Sequence, residues 1–163
     1  MRIVALTPDQ IITLNDYPIY SEGMLRRYFR DCMTGASLPL VPVISEAVVR
    51  QSFDAELSER LERFERACPL ARYFMLDGTH RTTALTLAGR PILAVVYEED
   101  ADIHEAKALV ARGEMLESAT LDYTLAENCA ILNAHFKAQP YFMTVRQKTG
   151  KLIQERYIAR YGL

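Results

Sequence analysis

No run of this 163-residue chain is apolar for long enough to cross a bilayer, so no transmembrane helix is expected. The first six residues are strand-like and lack the longer apolar region of a secretory signal, which points to a cytoplasmic protein. Cysteine is scarce. Cys32, Cys68 and Cys129 are odd in number, far apart and without a C-x-x-C pair, so they read as reduced, buried thiols. An excess of one charge is absent too: 19 basic against 21 acidic residues give a net charge of −2, and with it no general affinity for nucleic acid. Internal repeats and low-complexity segments are missing. Half of the residues are hydrophobic, enough for one domain with a real core.

Along the chain, Arg2-Ile3-Val4-Ala5-Leu6 reads as a first strand and Thr7-Pro8-Asp9 as a turn. Ile11, Ile12 and Leu14 continue the apolar pattern into Asn15-Asp16-Tyr17-Pro18. Ser21-Glu22-Gly23 precedes an amphipathic helix with Leu25, Tyr28, Phe29 and Cys32 inward. Leu40-Val41-Pro42-Val43-Ile44 reads as a strand, and Pro42 predicts an edge or strand-end position for it. Residues 54–67 carry Leu57, Leu61 and Phe64 at helical spacing, and Pro69 follows. The acidic run Glu98, Glu99, Asp100 and Asp102, with His104 and Glu105 beyond, has metal-binding residue types. Acids are equally at home at a solvated helix start, and that reading is preferred. A helix over roughly 103–112 follows, ending at Gly113.

From Leu116 on, Leu121, Leu125, Ile131 and Leu132 predict a helix to about His135, itself a structural histidine in an apolar setting. Val145, Leu152, Ile153, Tyr157 and Ile158 predict a last helix. From Lys137 onward six bases (Lys137, Arg146, Lys148, Lys151, Arg156, Arg160) face one acid, Glu155. Such a helix can touch nucleic acid. Packing on the core or on a second subunit, with the lysines solvated, is preferred, which leaves a homodimer open.

The chain is organised around residues 73–96. Tyr73-Phe74-Met75-Leu76 has the character of a buried strand and stops at Asp77-Gly78, a turn signal. Thr79 can cap a helix with Ala84, Leu85, Leu87 and Ala88 inward, Gly89 and Pro91 end it, and Ile92-Leu93-Ala94-Val95-Val96 is a second strand. The first helical turn carries His80 and Arg81 where the positive end of the helix dipole favours acids, at a cost of a few tenths to about 1 kcal/mol. Free amides, a guanidinium, an imidazole and the Thr79, Thr82 and Thr83 hydroxyls on one spot describe an anion site, most naturally for phosphate. The same residues equally fit a plain turn in which Asp77 pairs with Arg81.

Leu76-Asp77-Gly78-Thr79-His80-Arg81-x-x-Ala84 followed by Leu87-Ala88-Gly89-x-Pro91 resembles the nucleotide-binding box of the ParB/sulfiredoxin-like superfamily. The resemblance covers about residues 38–96, extends back to about residue 11 and does not pass residue 102. It implies an α+β fold, a small mixed sheet flanked by helices, for a domain over residues 1–115; the helical pattern of 116–163, outside the likeness, is read as a C-terminal extension packed on the same domain. It also implies nucleotide phosphates (ATP, ADP or CTP) held by Gly78, Thr79, His80, Arg81, Thr82 and Thr83.

Within that superfamily, sulfiredoxins carry a catalytic cysteine where this chain has Thr79, and a hydroxyl cannot replace a thiolate. ParB partition proteins use a Gly-x-Arg-Arg box with CTP and a downstream DNA-binding module; here His80 replaces the first Arg and the chain is short. The Asp77-Gly78-x-His80-Arg81 form is more similar to the free-serine kinases. That likeness implies Mg²⁺-dependent phosphoryl transfer to a small hydroxyl compound, with Asp77 holding Mg²⁺, Arg81 neutralising the transferring group and His80 on phosphate or acceptor. Glu22 is the nearest candidate for the general base those enzymes take from an N-terminal segment. The alternative is a nucleotide-gated module that binds DNA or a protein without catalysis.

Overall fold

The computed structural model describes residues 1–15 and 21–155. Of the residues read above, Asp16, Tyr17, Pro18, Arg156, Tyr157, Ile158 and Arg160 lie outside that range. The strands are β1 (Arg2–Leu6), β2 (Ile11–Ile12), β3 (Val41–Ser45), β4 (Tyr73–Met75) and β5 (Ile92–Tyr97). They form one sheet in the order β1-β5-β3-β4-β2. The β1/β5 and β3/β4 pairs are antiparallel, and the β5/β3 and β4/β2 pairs are parallel. The fold class is α+β.

The strand containing Pro42 is central rather than an edge, but Pro42 is only its second residue, opposite the point where β4 has already ended. Its carbonyl still accepts from the Leu76 amide at 3.0 Å. The lost donor therefore falls where a neighbour is no longer needed.

Helices cover both faces: α1 (Glu22–Met33), α2 (Glu46–Arg50), α3 (Ala55–Ala67), α4 (Thr79–Leu87), α5 (Asp100–Ala111), α6 (Leu125–Ala138) and α7 (Val145–Gln154). The strands from β2 to β5 alternate their side chains between two cores, while β1 gives Leu6 to one core and leaves Ile3 exposed. Ile12, Ile44, Phe74, Val95 and Tyr97 meet Val49 of α2, Leu57 and Leu61 of α3, Ile103 and Leu109 of α5, and Leu132 and Phe136 of α6. Ile11, Val43, Met75, Ile92 and Val96 meet Leu25 and Phe29 of α1, Ala84 and Leu85 of α4, and Val145 and Leu152 of α7.

Helix starts follow their caps. Ser21 accepts from the Met24 amide, Asp54 from Leu57, Thr124 from Glu127 and Thr144 from Gln147. The acidic run is a helix start as well: α5 begins at Asp100, earlier than expected, and Asp102 accepts from the Glu98 and Glu99 amides at 2.8 and 3.0 Å. No group of three metal-ligating side chains exists among the described residues. No described helix is long and apolar enough to cross a membrane.

Two short elements escape sequence reading, α2 and a 3-10 turn at Ala119–Asp122; the latter takes Leu121 out of the long helix expected there. The segment after residue 115 is structural to the sheet itself. The Thr13 amide donates to the Met143 carbonyl at 3.0 Å, and Ile12 bridges Thr144, which closes the β2 edge. Phe136 is wholly buried, with its ring 5.4 Å from Phe74 and 4.8 Å from Phe142. Phe136→Ala is expected to lower unfolding free energy by roughly 3–5 kcal/mol. A urea midpoint within error of wild type would show that this segment is not part of the cooperative core.

Candidate functional site

The site is built where β4 stops. Gly78 has φ +114°, and a Cβ there would lie 3.2 Å from Arg81 Nη2 and 3.3 Å from both Val41 methyls. Glycine is needed for backbone and for space. It also takes the N-cap position expected of Thr79, which is instead the first helical residue. No side chain caps α4 and its first turn holds no acid, so the positive end of its dipole is bare.

The phosphate-clamp reading needs correcting on three residues. Arg81 is 3% exposed; its Nη1 donates to the Leu40 carbonyl at 2.7 Å and the Pro39 carbonyl at 3.1 Å, and Nη2 stands 3.6 Å from Asp77 Oδ2. The guanidinium braces the turn from inside, and the Asp77–Arg81 pair of the plain-turn reading is present. Burial pulls its pKa down, with Asp77 and Tyr28 opposing. Thr82 is buried too, its hydroxyl donating to the Gly78 carbonyl at 2.8 Å, and Thr83 is buried beside it. The cause is geometric: α4 is enclosed by α1, α7 and β5, so the five consecutive residues from Arg81 to Leu85 are all buried rather than one stripe.

What stays at the surface of the turn is Asp77, Thr79 and His80, each part-exposed. His80 Nε2 accepts from the Ser21 amide at 3.2 Å, so the ring is neutral with its proton on Nδ1. Burial lowers its pKa most, Lys148 lowers it further and Asp77 works against both. Glu22 follows Ser21 directly, so its backbone comes close to the site. Its half-exposed carboxylate, however, pairs with Arg26 at 3.1 Å, the ordinary work of an acid in a first turn.

Lys148 is the residue sequence reading misplaced. It is 3% exposed, not solvated, and its Nζ donates to the Leu14 carbonyl at 2.8 Å. The signal was present: Val145, Lys148, Thr149 and Leu152 are the buried stripe of α7 at i, i+3, i+4 and i+7. Arg146, although exposed, pairs with Asp9 at 2.9 Å.

Compared with known proteins, the chain matches no family model, no curated protein and no solved structure. The chemistry therefore rests on the geometry. The turn presents a helix start with no side-chain cap and a neutral imidazole that feels both Lys148 and the half-exposed Asp77 carboxylate.

Gly78→Ala is expected to cost about 1–3 kcal/mol, since the left-handed backbone and the guanidinium below both resist a Cβ. Unchanged thermal stability would contradict the packing of Arg81 under the turn. His80 gives a pH signature. Its folded pKa lies below the ordinary 6.5, so its contribution to stability is complete above that value and is lost as pH falls through the folded pKa. Urea unfolding from about pH 7.5 to about pH 5 should show a slope that His80→Gln reduces. Equal slopes in both proteins would remove His80 as its source.

Proposed function

We propose that this chain binds the phosphates of a nucleotide (ATP, ADP or CTP) at the first turn of α4 and, with Mg²⁺, transfers a phosphoryl group to a small hydroxyl-bearing molecule, as a member of the ParB/sulfiredoxin-like superfamily. The carrying observation is the bare, acid-free start of α4, where α1, α3, α6 and α7 all carry side-chain caps. In this reading the amides of Thr79, His80 and Arg81 hold phosphate. The Thr79 hydroxyl and the Nδ1–H of His80 add donors at the surface of the turn. Arg81 acts indirectly, by fixing the turn that aims those amides. Lys148 contributes positive charge close to His80, from the segment outside the family likeness.

Mg²⁺ commonly takes one or two carboxylates and completes its shell with water and substrate phosphates. Asp77, half-exposed beside the turn, fits as one carboxylate of an ion that arrives with the nucleotide. The ion would neutralise phosphate charge there. Glu22 would have to leave Arg26 to serve as a base toward an acceptor hydroxyl.

Arg81→Ala is a poor test, because two carbonyls would lose their donor and the turn its brace, at roughly 2–5 kcal/mol of stability. Thr79→Glu separates the two roles. An acid in a first turn stabilises a helix by about 0.3–1 kcal/mol and repels phosphate. Calorimetric titration with ATP, ADP and CTP, with and without Mg²⁺, is expected to show binding that falls at least about tenfold in Thr79→Glu, with the melting temperature kept or raised. Nucleotide affinity equal in both proteins would sink the proposal.

A further inference from the structure

Beyond Leu76, on the opposite side of the sheet from α4, a cavity of about 230 Å³ lies between the end of β4, the 3-10 turn and α6. Its walls are mostly apolar, from Leu14, Leu76, Ile131, Leu132 and the ring of Tyr123. Ile131 and Tyr123 are 50% and 39% exposed, so the cavity opens to solvent past an apolar rim. No Asp, Glu, Lys or Arg lines it. The wall residues α6 and the 3-10 turn supply come from the segment outside the family likeness.

Polar groups are few and most are committed. The Thr120 hydroxyl shares a hydrogen bond with Ser118 at 2.7 Å, and His135 Nε2 is held by the Asn15 side chain at 2.5 Å. Asn128 differs. It is 2% exposed, and its amide nitrogen donates to the carbonyls of Thr120 and Thr124, both at 3.1 Å. Carbonyls only accept, so the nitrogen must face them. Both amide protons are spent, and among the described residues nothing donates to Asn128 Oδ1. That oxygen is not one of the fully buried unpaired atoms, so it is reached through the open mouth and can accept from a ligand that displaces water there. Nearby, the Tyr97 hydroxyl is wholly buried beside Thr120 and has no hydrogen-bond partner of good geometry.

We infer that this cavity binds a neutral small molecule with an apolar body about the size of one substituted ring and a hydroxyl or N–H that donates to Asn128 Oδ1. Size sets the first limit, because a dry cavity of about 150 Å³ already accepts benzene. Charge sets the second, because no Asp, Glu, Lys or Arg lines the wall to pair with a carboxylate or ammonium, and the one imidazole there, His135, is already held by Asn15. The inference stands on the cavity alone, but it deepens the phosphotransfer reading, on which its link to function rests. Leu76 is the residue before Asp77, so the cavity adjoins the turn, and it selects a neutral alcohol over a zwitterionic hydroxy amino acid as the acceptor.

The test is amide-resonance NMR titration of the full chain, without nucleotide, using benzyl alcohol and phenol against benzoate and serine. The expected result is saturable shifts at Leu76, Ile131 and Leu132 with the neutral probes, and at least about tenfold weaker binding of the charged ones. Ile131→Trp, at a half-exposed rim position, should plug the mouth and abolish the shifts while the protein stays folded. No saturable shifts with either neutral probe, equal binding of benzoate, or binding unaffected by Ile131→Trp would each overturn the inference. Because nucleotide is absent, a chain that binds the alcohols but no nucleotide keeps the cavity and loses only the phosphotransfer reading.

Discussion

The guanidinium of Arg81 sets the geometry on which the site depends. It reaches from the first turn of α4 back under Gly78 to the carbonyls of Pro39 and Leu40, just before β3. One side chain thus ties the approach to the central strand to the turn that leaves its neighbour. Gly78 is consequently fixed: any Cβ would meet this group and the Val41 methyls. The Asp77 carboxylate, 3.6 Å away, offsets part of the cost of holding a charge in the interior. Charge-assisted bonds to carbonyls are among the stronger hydrogen bonds, and here they are spent on backbone position.

The second constraint comes from the far end of the chain. β2 is only two residues long and would leave an edge exposed, but residues 143 and 144 cover it. The same connection delivers α7 onto α4, so the Val145–Leu152 stripe is buried against the helix whose start forms the site. Lys148 lies on that stripe. Its Nζ is held by the Leu14 carbonyl, and its charge is felt by His80. The segment beyond residue 115 therefore shapes both cores, the field at the turn and a wall of the cavity beside it.

Much of this was legible in residue order. The four longer strands, the turn at Asp77-Gly78 and the amphipathic helix after Ser21 follow from apolar runs and turn chemistry, which act over a few residues. What was illegible is long-range. Nothing near Arg81 announces that its partners are the carbonyls of residues 39 and 40. Pro42 predicted an edge or strand-end position; the strand-end half holds, but that β3 is central depends on neighbours more than 30 residues away. Lys148 was misread for a different reason, since its charge was weighed above its place on an otherwise buried stripe. Thr82 and Thr83 were misread for a third reason: hydroxyls next to a phosphate-like turn invited a ligand role, while α1 and α7, distant in the chain, close over that turn of α4.

The bare start of α4 can be divided into what packing compels and what it leaves free. Position 78 must be glycine, so no side chain there can cap the helix, and a cap is worth about 1 kcal/mol. Position 81 must carry the guanidinium that holds the turn. Neither residue, taken alone, speaks for a ligand. Positions 79 and 80 are different, because both are part-exposed and an acid at either would complement the dipole. They hold a threonine and a histidine kept neutral by burial and by the charge of Lys148. The electrostatic case for an anion therefore contracts from six residues to these two and the lysine behind them. It is a narrower case than the motif suggested, and a sharper one, since a single acid at position 79 improves the helix and spoils the site.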